Sequence, residues 1–129
     1  MEKQKILIAD DSEMNRALLV DILEDQYDIV EADNGAAAID LLTQCGGDFS
    51  LLLLDIMMPE MDGFEVLAYI NRYHLNDTLA VIMISADDSP ANIKRAYDLG
   101  AFDYISRPFD AAIVRRRISN TMLLYARQR

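Results

Sequence analysis

Few residues in this sequence suit thiolate, imidazole or disulfide chemistry. The 129 residues include one cysteine, Cys45, one histidine, His74, and no tryptophan. A single cysteine excludes an internal disulfide framework and a metal site built from several thiolates, which is typical of a reducing compartment. We expect Cys45 to be a small apolar filler near a helix end. His74 lies in a polar stretch and is expected on the surface.

Positive charge and long apolar runs are also scarce. The chain has 12 Lys and Arg residues against 22 Asp and Glu residues, for a net charge of −10. So acidic a chain has no general attraction to nucleic acid or anionic lipid, and direct binding to either is not expected. No apolar run approaches the roughly 18 residues of a membrane helix, and residues 1–5 are too polar for a secretory leader. These absences predict a cytoplasmic protein.

The apolar residues fall into short runs. Residues 6–9, 51–54 and 79–84 are almost wholly apolar, and weaker runs cover 27–32 and 103–106. Short apolar runs bounded by polar residues are typical of strands buried on both faces. The stretches between them repeat apolar residues at helical spacing: Leu18, Leu19, Ile22 and Leu23, then Ile39 and Leu42, then Phe64, Leu67 and Ile70. Alternating strands and helices predict a doubly wound α/β fold, with a five-stranded parallel sheet in the order 2-1-3-4-5 and five helices.

Turn and capping residues support these boundaries. Asn34 and Gly35 predict a turn, and Ser89 with Pro90 predicts an N-cap followed by the first residue of the fourth helix. Gly100 is expected to end that helix.

The length suits one domain over residues 1–129. The last helix, predicted over about 111–129, repeats apolar residues at Val114, Ile118, Thr121 or Met122, and Tyr125, and contains no Gly or Pro to end it. We expect it either to fray or to continue into an output domain.

Three carboxylates are predicted to converge at one edge of the sheet. Asp10 and Asp11 follow the first strand and Asp55 ends the third, and these strands are neighbours in the predicted order. Two carboxylates about 4 Å apart repel by roughly 4 kcal/mol at an effective dielectric constant near 20, so the cluster requires a cation or a proton. Oxygen ligands without His or Cys favour Mg²⁺. Helix capping by Asp10 and Asp11 remains an alternative.

Two further strand ends point to the same edge. Ser85 ends the fourth strand, and Arg107 follows the fifth. A hydroxyl and a fixed cation beside a metal-bound carboxylate suit the oxygens of a transferring phosphoryl group. Carboxylates form acyl phosphates, so Asp55 is a candidate phosphoryl acceptor.

The ordered set of motifs resembles the response-regulator receiver family over essentially the whole chain. The resemblance depends on Asp10 and Asp11, residues 55–59 with Asp62 and Gly63, Ser85 and Ala86, Gly100 and Ala101, Tyr104, and residues 107–109. It implies a receiver fold of the flavodoxin-like kind and a phospho-acceptor signalling module, not an enzyme acting on a separate substrate.

The resemblance also implies roles for individual residues. Asp55 would be phosphorylated, and Mg²⁺, with Mn²⁺ as a substitute, would be held by Asp10, Asp11, Asp55 and the backbone carbonyl of Met57. The phosphoryl group would be bound and sensed by Ser85, Ala86, Tyr104 and Arg107. Pro59, Gly63 and Pro108 would shape the site.

The resemblance further implies partners. The phosphoryl donor would be a histidine kinase or a histidine phosphotransfer domain. The output would be a downstream domain or protein, or a phosphorylation-linked homodimer formed through helix four, strand five and helix five. Arg115, Arg116 and Arg117 on helix five need not form one patch, because consecutive helical residues point in different directions.

One departure from the family leaves alternatives open. Receivers usually carry Lys where Arg107 stands, and Arg brings a planar fork in place of a compact ammonium group. A docking module that is never phosphorylated therefore remains an alternative. An aspartyl-phosphate enzyme would need a second acid at the position of Met57, and a nucleotide carrier would need a glycine-rich loop after strand one.

Overall fold

Five parallel strands form one sheet in the part of the chain that the structure, a computed structural model, describes, which is residues 3–86 and 89–127. They are β1 (Lys5–Ala9), β2 (Asp28–Ala32), β3 (Phe49–Asp55), β4 (Ala80–Ser85) and β5 (Asp103–Ser106). Their order is β2-β1-β3-β4-β5, and every neighbouring pair is parallel. The predicted fold and strand order are confirmed.

Helices connect the strands and cover both faces of the sheet. They are α1 (Glu13–Leu23), α2 (Gly35–Cys45), α3 (Gly63–Arg72), α4 (Pro90–Asp98) and α5 (Ala111–Arg127), with short 3₁₀ turns at Gly46–Asp48 and Leu75–Asp77. Side chains alternate along β3: Leu51 and Leu53 pack in the layer of α1 and α5, whereas Leu52 and Leu54 pack in the layer of α2, α3 and α4. The sheet thus separates two apolar layers.

Most of the predicted helix boundaries agree with the structure. Ser89 caps α4 by accepting a hydrogen bond from Asn92 N at 3.4 Å, and Gly100 follows the helix with φ of 99°. The turn predicted at Asn34 and Gly35 is instead the start of α2. The Asn34 side chain accepts from the backbone N–H of Ala37 at 2.7 Å, so this pair begins the helix.

One residue of the predicted helical repeat is exposed, and one expectation about burial, that for Cys45, was wrong. Leu18 is 49% exposed, because α1 turns only a narrow stripe with Leu19 and Leu23 toward the sheet. Cys45 is exposed at the last residue of α2 and fills no apolar space. His74 is exposed, as predicted.

The apolar stripe of α5 packs as predicted. Val114, Ile118 and Met122 are buried, and Tyr125 is half-buried against the same layer. Residues 128 and 129, which the prediction included in this helix, lie outside the described residues. Among the described residues, no helix is both long and apolar enough to cross a membrane.

Candidate functional site

The acidic cluster lies at the carboxyl edge of the sheet. Asp10 follows β1 and Asp55 ends β3, and these strands pair so that Ala9 lies opposite Leu54. Carboxylate oxygens of Asp10, Asp11 and Asp55 all lie within 4.8 Å of one another. Asp10 and Asp55 are buried, at 0% and 1% exposure, whereas Asp11 is exposed. The three carboxylates therefore form one pocket with an open side at Asp11.

Arg107 brings a positive charge between the two buried carboxylates. Its Nη2 contacts Asp10 Oδ2 and lies 3.3 Å from Asp55 Oδ1. The backbone N–H of Arg107 donates to the Ser85 carbonyl oxygen at 2.9 Å, which fixes the start of this loop to the end of β4. Nε of Arg107 is buried and has no hydrogen-bond partner among the described residues. One N–H donor of the guanidinium is therefore not used by any described residue.

Asp10 and Asp11 do not cap α1. Ser12 is the N-cap, with its Oγ accepting from Asn15 N at 3.2 Å, so the capping alternative was wrong. Asp10 Oδ1 instead accepts from the backbone N–H of Ser12 at 2.9 Å. The Asp11 side chain has no hydrogen bond or ion pair with any described residue. Its charge therefore has no protein counter-ion within the part of the chain described.

Burial and the neighbouring charge of Asp10 raise the pKa of Asp55 to about 6. Arg107 and the backbone N–H of Met57, which lies 3.4 Å from Asp55 Oδ1, act in the opposite direction. Burial outweighs them because it removes the carboxylate from water. Asp55 thus bears its negative charge at neutral pH at a free-energy cost that one guanidinium does not remove.

The donor set fits a hard divalent cation. Three carboxylates and one guanidinium leave a net charge of about −2, and all the converging ligand atoms are oxygen. Asp11 leaves one side of the cluster open to water, and Mg²⁺ normally keeps several water ligands. The Met57 side chain is 68% exposed at this opening.

A glycine allows α3 to begin directly against the end of β3. The backbone N–H of Gly63 donates to the Ile56 carbonyl oxygen at 2.8 Å. A Cβ at Gly63 would collide with the Asp55 carbonyl oxygen, so no larger residue fits without movement. Pro59 is exposed in the preceding loop, and Pro108 is exposed after a cis peptide bond at Arg107.

The remaining predicted residues lie on the strands next to Asp55. Ser85, 1% exposed, ends β4, in which the preceding Ile84 pairs with Asp55. Ala86 is exposed immediately after it. Tyr104 lies one strand farther away on β5, with its ring buried in the layer of α2, α3 and α4.

One residue at the site was not singled out from the sequence. Arg16 of α1 donates from Nη1 to the Asp10 carbonyl oxygen at 2.7 Å and pairs through Nε with Glu31 at 3.0 Å. The available signal was a basic residue one helical turn after the Ser12 cap, close in sequence to two acids that need a cation. That signal is weak, because surface arginines are common in helices.

The fold and the site together define a doubly wound α/β protein with an acidic pocket, suited to a divalent cation, at the carboxyl edge of its central strands. The family model for the response regulator receiver domain matches residues 6–119. The chain therefore belongs to the response regulator receiver domain family. It is a receiver domain of two-component signalling, which confirms the prediction of a phospho-acceptor module.

Individual relatives are similar over most of this chain. It is 35% identical to the chemotaxis protein CheY of Halobacterium salinarum, over 95% of this chain and 98% of that protein. It is also 35% identical to a probable cyclic di-GMP phosphodiesterase of Vibrio cholerae, over 88% of this chain but only 25% of that protein. The CheX-CheY-BeF3-Mg complex of Borrelia burgdorferi contains a chain with a TM-score of 0.85 and 30% identity, over 91% of this chain and 87% of that one.

Proposed function

We propose that Asp55 accepts the phosphoryl group, in a reaction that depends on a divalent cation bound beside it. The observation that carries the proposal is the position of Asp55, buried at the end of β3 within 4.8 Å of two other carboxylates and 3.3 Å from Arg107. A buried carboxylate with both a cation site and a fixed cation is suited to become an acyl phosphate. The donor would be a phosphohistidine of a histidine kinase or of a phosphotransfer domain.

In the proposed reaction an Asp55 oxygen attacks phosphorus, the bond from phosphorus to the donor imidazole breaks, and a carboxyl–phosphate bond forms. Asp10, Asp11, Asp55 and the Met57 carbonyl would hold Mg²⁺, or Mn²⁺ in its place, which would offset the charge of the phosphoryl oxygens. Arg107 has the second cationic role, because its guanidinium lies 3.3 Å from Asp55 Oδ1 and would be close to the oxygens of a phosphoryl group on Asp55.

The modified state would differ from the unmodified one through residues that surround Asp55. Phosphorylation adds charge and acceptor oxygens, which favours a state in which the Ser85 hydroxyl and the neighbouring Ala86 backbone bind the new group. Tyr104 would follow, because its strand is hydrogen-bonded to the strand of Ser85. This sequence of changes would carry the signal to the surface formed by α4, β5 and α5.

That surface contains exposed apolar side chains suited to a partner, a second subunit or an output domain. Tyr97 is 46% exposed and Ile113 is 49% exposed, on α4 and α5 respectively. Arg117 bonds Asp103 and the Tyr104 carbonyl oxygen, whereas Arg115 bonds the Ile22 carbonyl oxygen on α1. Residues 1–129 would form one receiver unit, and a further output domain is proposed because the match covers only 25% of the Vibrio relative.

Intact-protein mass spectrometry tests the proposal directly. The protein is incubated with a small acyl-phosphate donor, with Mg²⁺ or with EDTA, as wild type, Asp55→Asn and Asp28→Asn. Asp28 is an exposed acid at the start of β2, at the edge of the sheet opposite the acidic cluster, and serves as the matched control. We expect wild type and Asp28→Asn to gain one phosphoryl group with Mg²⁺ only, and Asp55→Asn to gain none.

Other results would assign another function. A folded, Mg²⁺-binding wild type without any gain in mass would favour a docking module that is not phosphorylated. Continuous turnover of the donor without accumulation of modified protein would favour an enzyme. We do not favour an aspartyl-phosphate enzyme, because such an enzyme would need a second catalytic acid at the position of Met57. The Met57 side chain is exposed and cannot act as an acid.

A further inference from the structure

Arg16 contacts the acidic site through the backbone of Asp10 and not through a carboxylate of the cluster. Its Nη1 donates to the Asp10 carbonyl oxygen at 2.7 Å, and its Nε donates to Glu31 Oε1 at 3.0 Å. The Arg16 side chain is only 15% exposed, since the guanidinium lies between α1 and the ends of β1 and β2. One side chain therefore ties three elements together at the edge of the site.

The bond to the Asp10 carbonyl oxygen restrains the peptide plane that joins Asp10 to Asp11. This plane is rigid, so the position of its oxygen determines where the backbone of Asp11 begins. The Asp10 carboxylate has its own contacts, from the backbone N–H of Ser12 and from Arg107. The exposed Asp11 carboxylate has no such contact with a described residue. Its direction therefore depends on the backbone that carries it.

We propose that Arg16 is a positioning residue for the acidic site, because by holding the peptide between Asp10 and Asp11 it directs the Asp11 carboxylate toward the bound cation. The inference rests on the proposed function, in which Asp11 is a cation ligand. Glu31 orients the guanidinium fork, which presents separate donors to two acceptors at once. Residues that orient metal ligands without touching the ion commonly change metal affinity by about 10- to 100-fold.

Arg16→Gln and Arg115→Gln form a matched pair of variants. Arg115 Nε donates to the Ile22 carbonyl oxygen at 3.1 Å, so each arginine bonds one backbone carbonyl and each holds α1. Ile22 lies near the end of α1, away from the acidic cluster at its start. If Arg16 only stabilised α1, both variants should fold less stably and bind the cation alike. If Arg16 positions Asp11, only Arg16→Gln should bind the cation more weakly.

Isothermal titration calorimetry measures the Mg²⁺ dissociation constant of each protein, and mass spectrometry measures the rate of phosphoryl uptake across Mg²⁺ concentrations. We expect Arg16→Gln to raise the Kd for Mg²⁺ about tenfold. At saturating Mg²⁺ its rate should stay within about twofold of wild type, since the reacting groups are intact. Arg115→Gln should match wild type in both measurements.

Two further measurements keep the inference open to test if Arg16→Gln folds poorly. Arg16→Lys can reach one acceptor but not both, and should recover part of the lost affinity. In ¹H–¹⁵N spectra of the metal-free proteins, changes at Arg16 should shift the amide resonances of Asp11 and Ser12, and Arg115→Gln should not.

Three outcomes would overturn the inference. Equal Mg²⁺ affinities in wild type, Arg16→Gln and Arg16→Lys, with normal phosphoryl uptake, would remove the role of Arg16 and leave the proposed function intact. An equal loss of affinity in Arg115→Gln would assign the effect to loosening of α1. A folded wild type that neither binds Mg²⁺ nor gains a phosphoryl group would overturn both proposals.

Discussion

Arg107 is the residue through which β5 reaches the acidic site. It pairs with Asp10 and Asp55, both almost fully buried. Removing one partner of a buried ion pair commonly costs about 3 to 5 kcal/mol, because the other charge remains buried without compensation. At this site the cost would be smaller if a divalent cation bound the same carboxylates.

Arg107→Met should therefore lower the free energy of unfolding of the metal-free protein at pH 7 by about 3 kcal/mol. Saturating Mg²⁺ should restore much of this loss, and Arg107→Lys, which retains the charge, should keep both stability and Mg²⁺-dependent phosphoryl uptake. Urea unfolding with EDTA and with Mg²⁺ measures the effect. Lys94→Met, which removes an exposed ion pair with Asp98, is the control and should remain close to wild type.

Asp55 makes the stability of the metal-free protein dependent on pH. Its pKa in the folded protein is about 6, above the ordinary value of 3.8, so the folded state binds the proton more tightly than the unfolded state does. Between these two values the folded state holds more protons, and stability falls as pH rises. The difference corresponds to about 3 kcal/mol, present below about pH 4 and lost above about pH 6.

Asp55→Asn removes this titration. Relative to wild type in EDTA, the variant should gain about 3 kcal/mol of stability between pH 4 and pH 7. Urea unfolding at several pH values measures the difference between the two proteins, in which the other titrating groups largely cancel. A difference that does not change with pH would contradict the raised pKa of Asp55.

At the scale of secondary structure elements, the start of α3 is held against the end of β3. Gly63 allows this approach because a side chain would meet the Asp55 backbone. Gly47 follows α2, where an added Cβ would have no neighbour within 4 Å. The two glycines therefore differ in surroundings and not in chemistry.

Gly63→Ala should destabilise the protein by about 2 kcal/mol or more, because the backbone of β3 or α3 must move to relieve the overlap. Gly47→Ala should be close to neutral or slightly stabilising, since it reduces the entropy of the unfolded chain. Thermal and urea unfolding compare the two variants. Similar losses of stability in both variants would show that the close approach of α3 to β3 does not exclude a side chain at residue 63.

The strands and their order followed from the sequence because buried parallel strands are short, apolar and separated by helical periods. The convergence of Asp10 and Asp55 followed from that order, because adjacent parallel strands end at one edge. The atoms that a long side chain contacts could not be predicted from the sequence in the same way. The contact from Arg16 to the Asp10 carbonyl oxygen depends on a rotamer and on the angle of α1, which no local pattern encodes.

Errors at the scale of elements have a similar cause. Asn34 and Gly35 predict a turn in isolation, but a Cβ at Gly35 would lie 2.8 Å from the Met61 carbonyl oxygen. The glycine is therefore needed for packing against a loop distant in sequence. The exposure of Leu18 likewise depends on how closely α1 approaches the sheet, which periodicity does not give.

At the scale of the whole molecule, cation binding should stabilise the fold. Ligands that bind only the folded state stabilise it by RT ln(1 + [L]/Kd), or about 2.7 kcal/mol at 100 times Kd. Differential scanning calorimetry should show a higher Tm with Mg²⁺ than with EDTA for wild type. The increase should be much smaller in Asp11→Asn, and an increase of equal size there would exclude Asp11 as a ligand.

The division of the interior by the sheet has a thermodynamic consequence. Leu19 of α1 and Leu67 of α3 belong to different apolar layers, separated by the backbone of the strands. Energetic effects of truncating side chains that share no neighbours are usually additive within about 0.3 to 0.5 kcal/mol. In a double-mutant cycle that pairs one residue from each layer, the interaction energy should therefore be close to zero. A larger interaction energy with a cation or a phosphoryl group bound would show that the two faces of the sheet are energetically coupled.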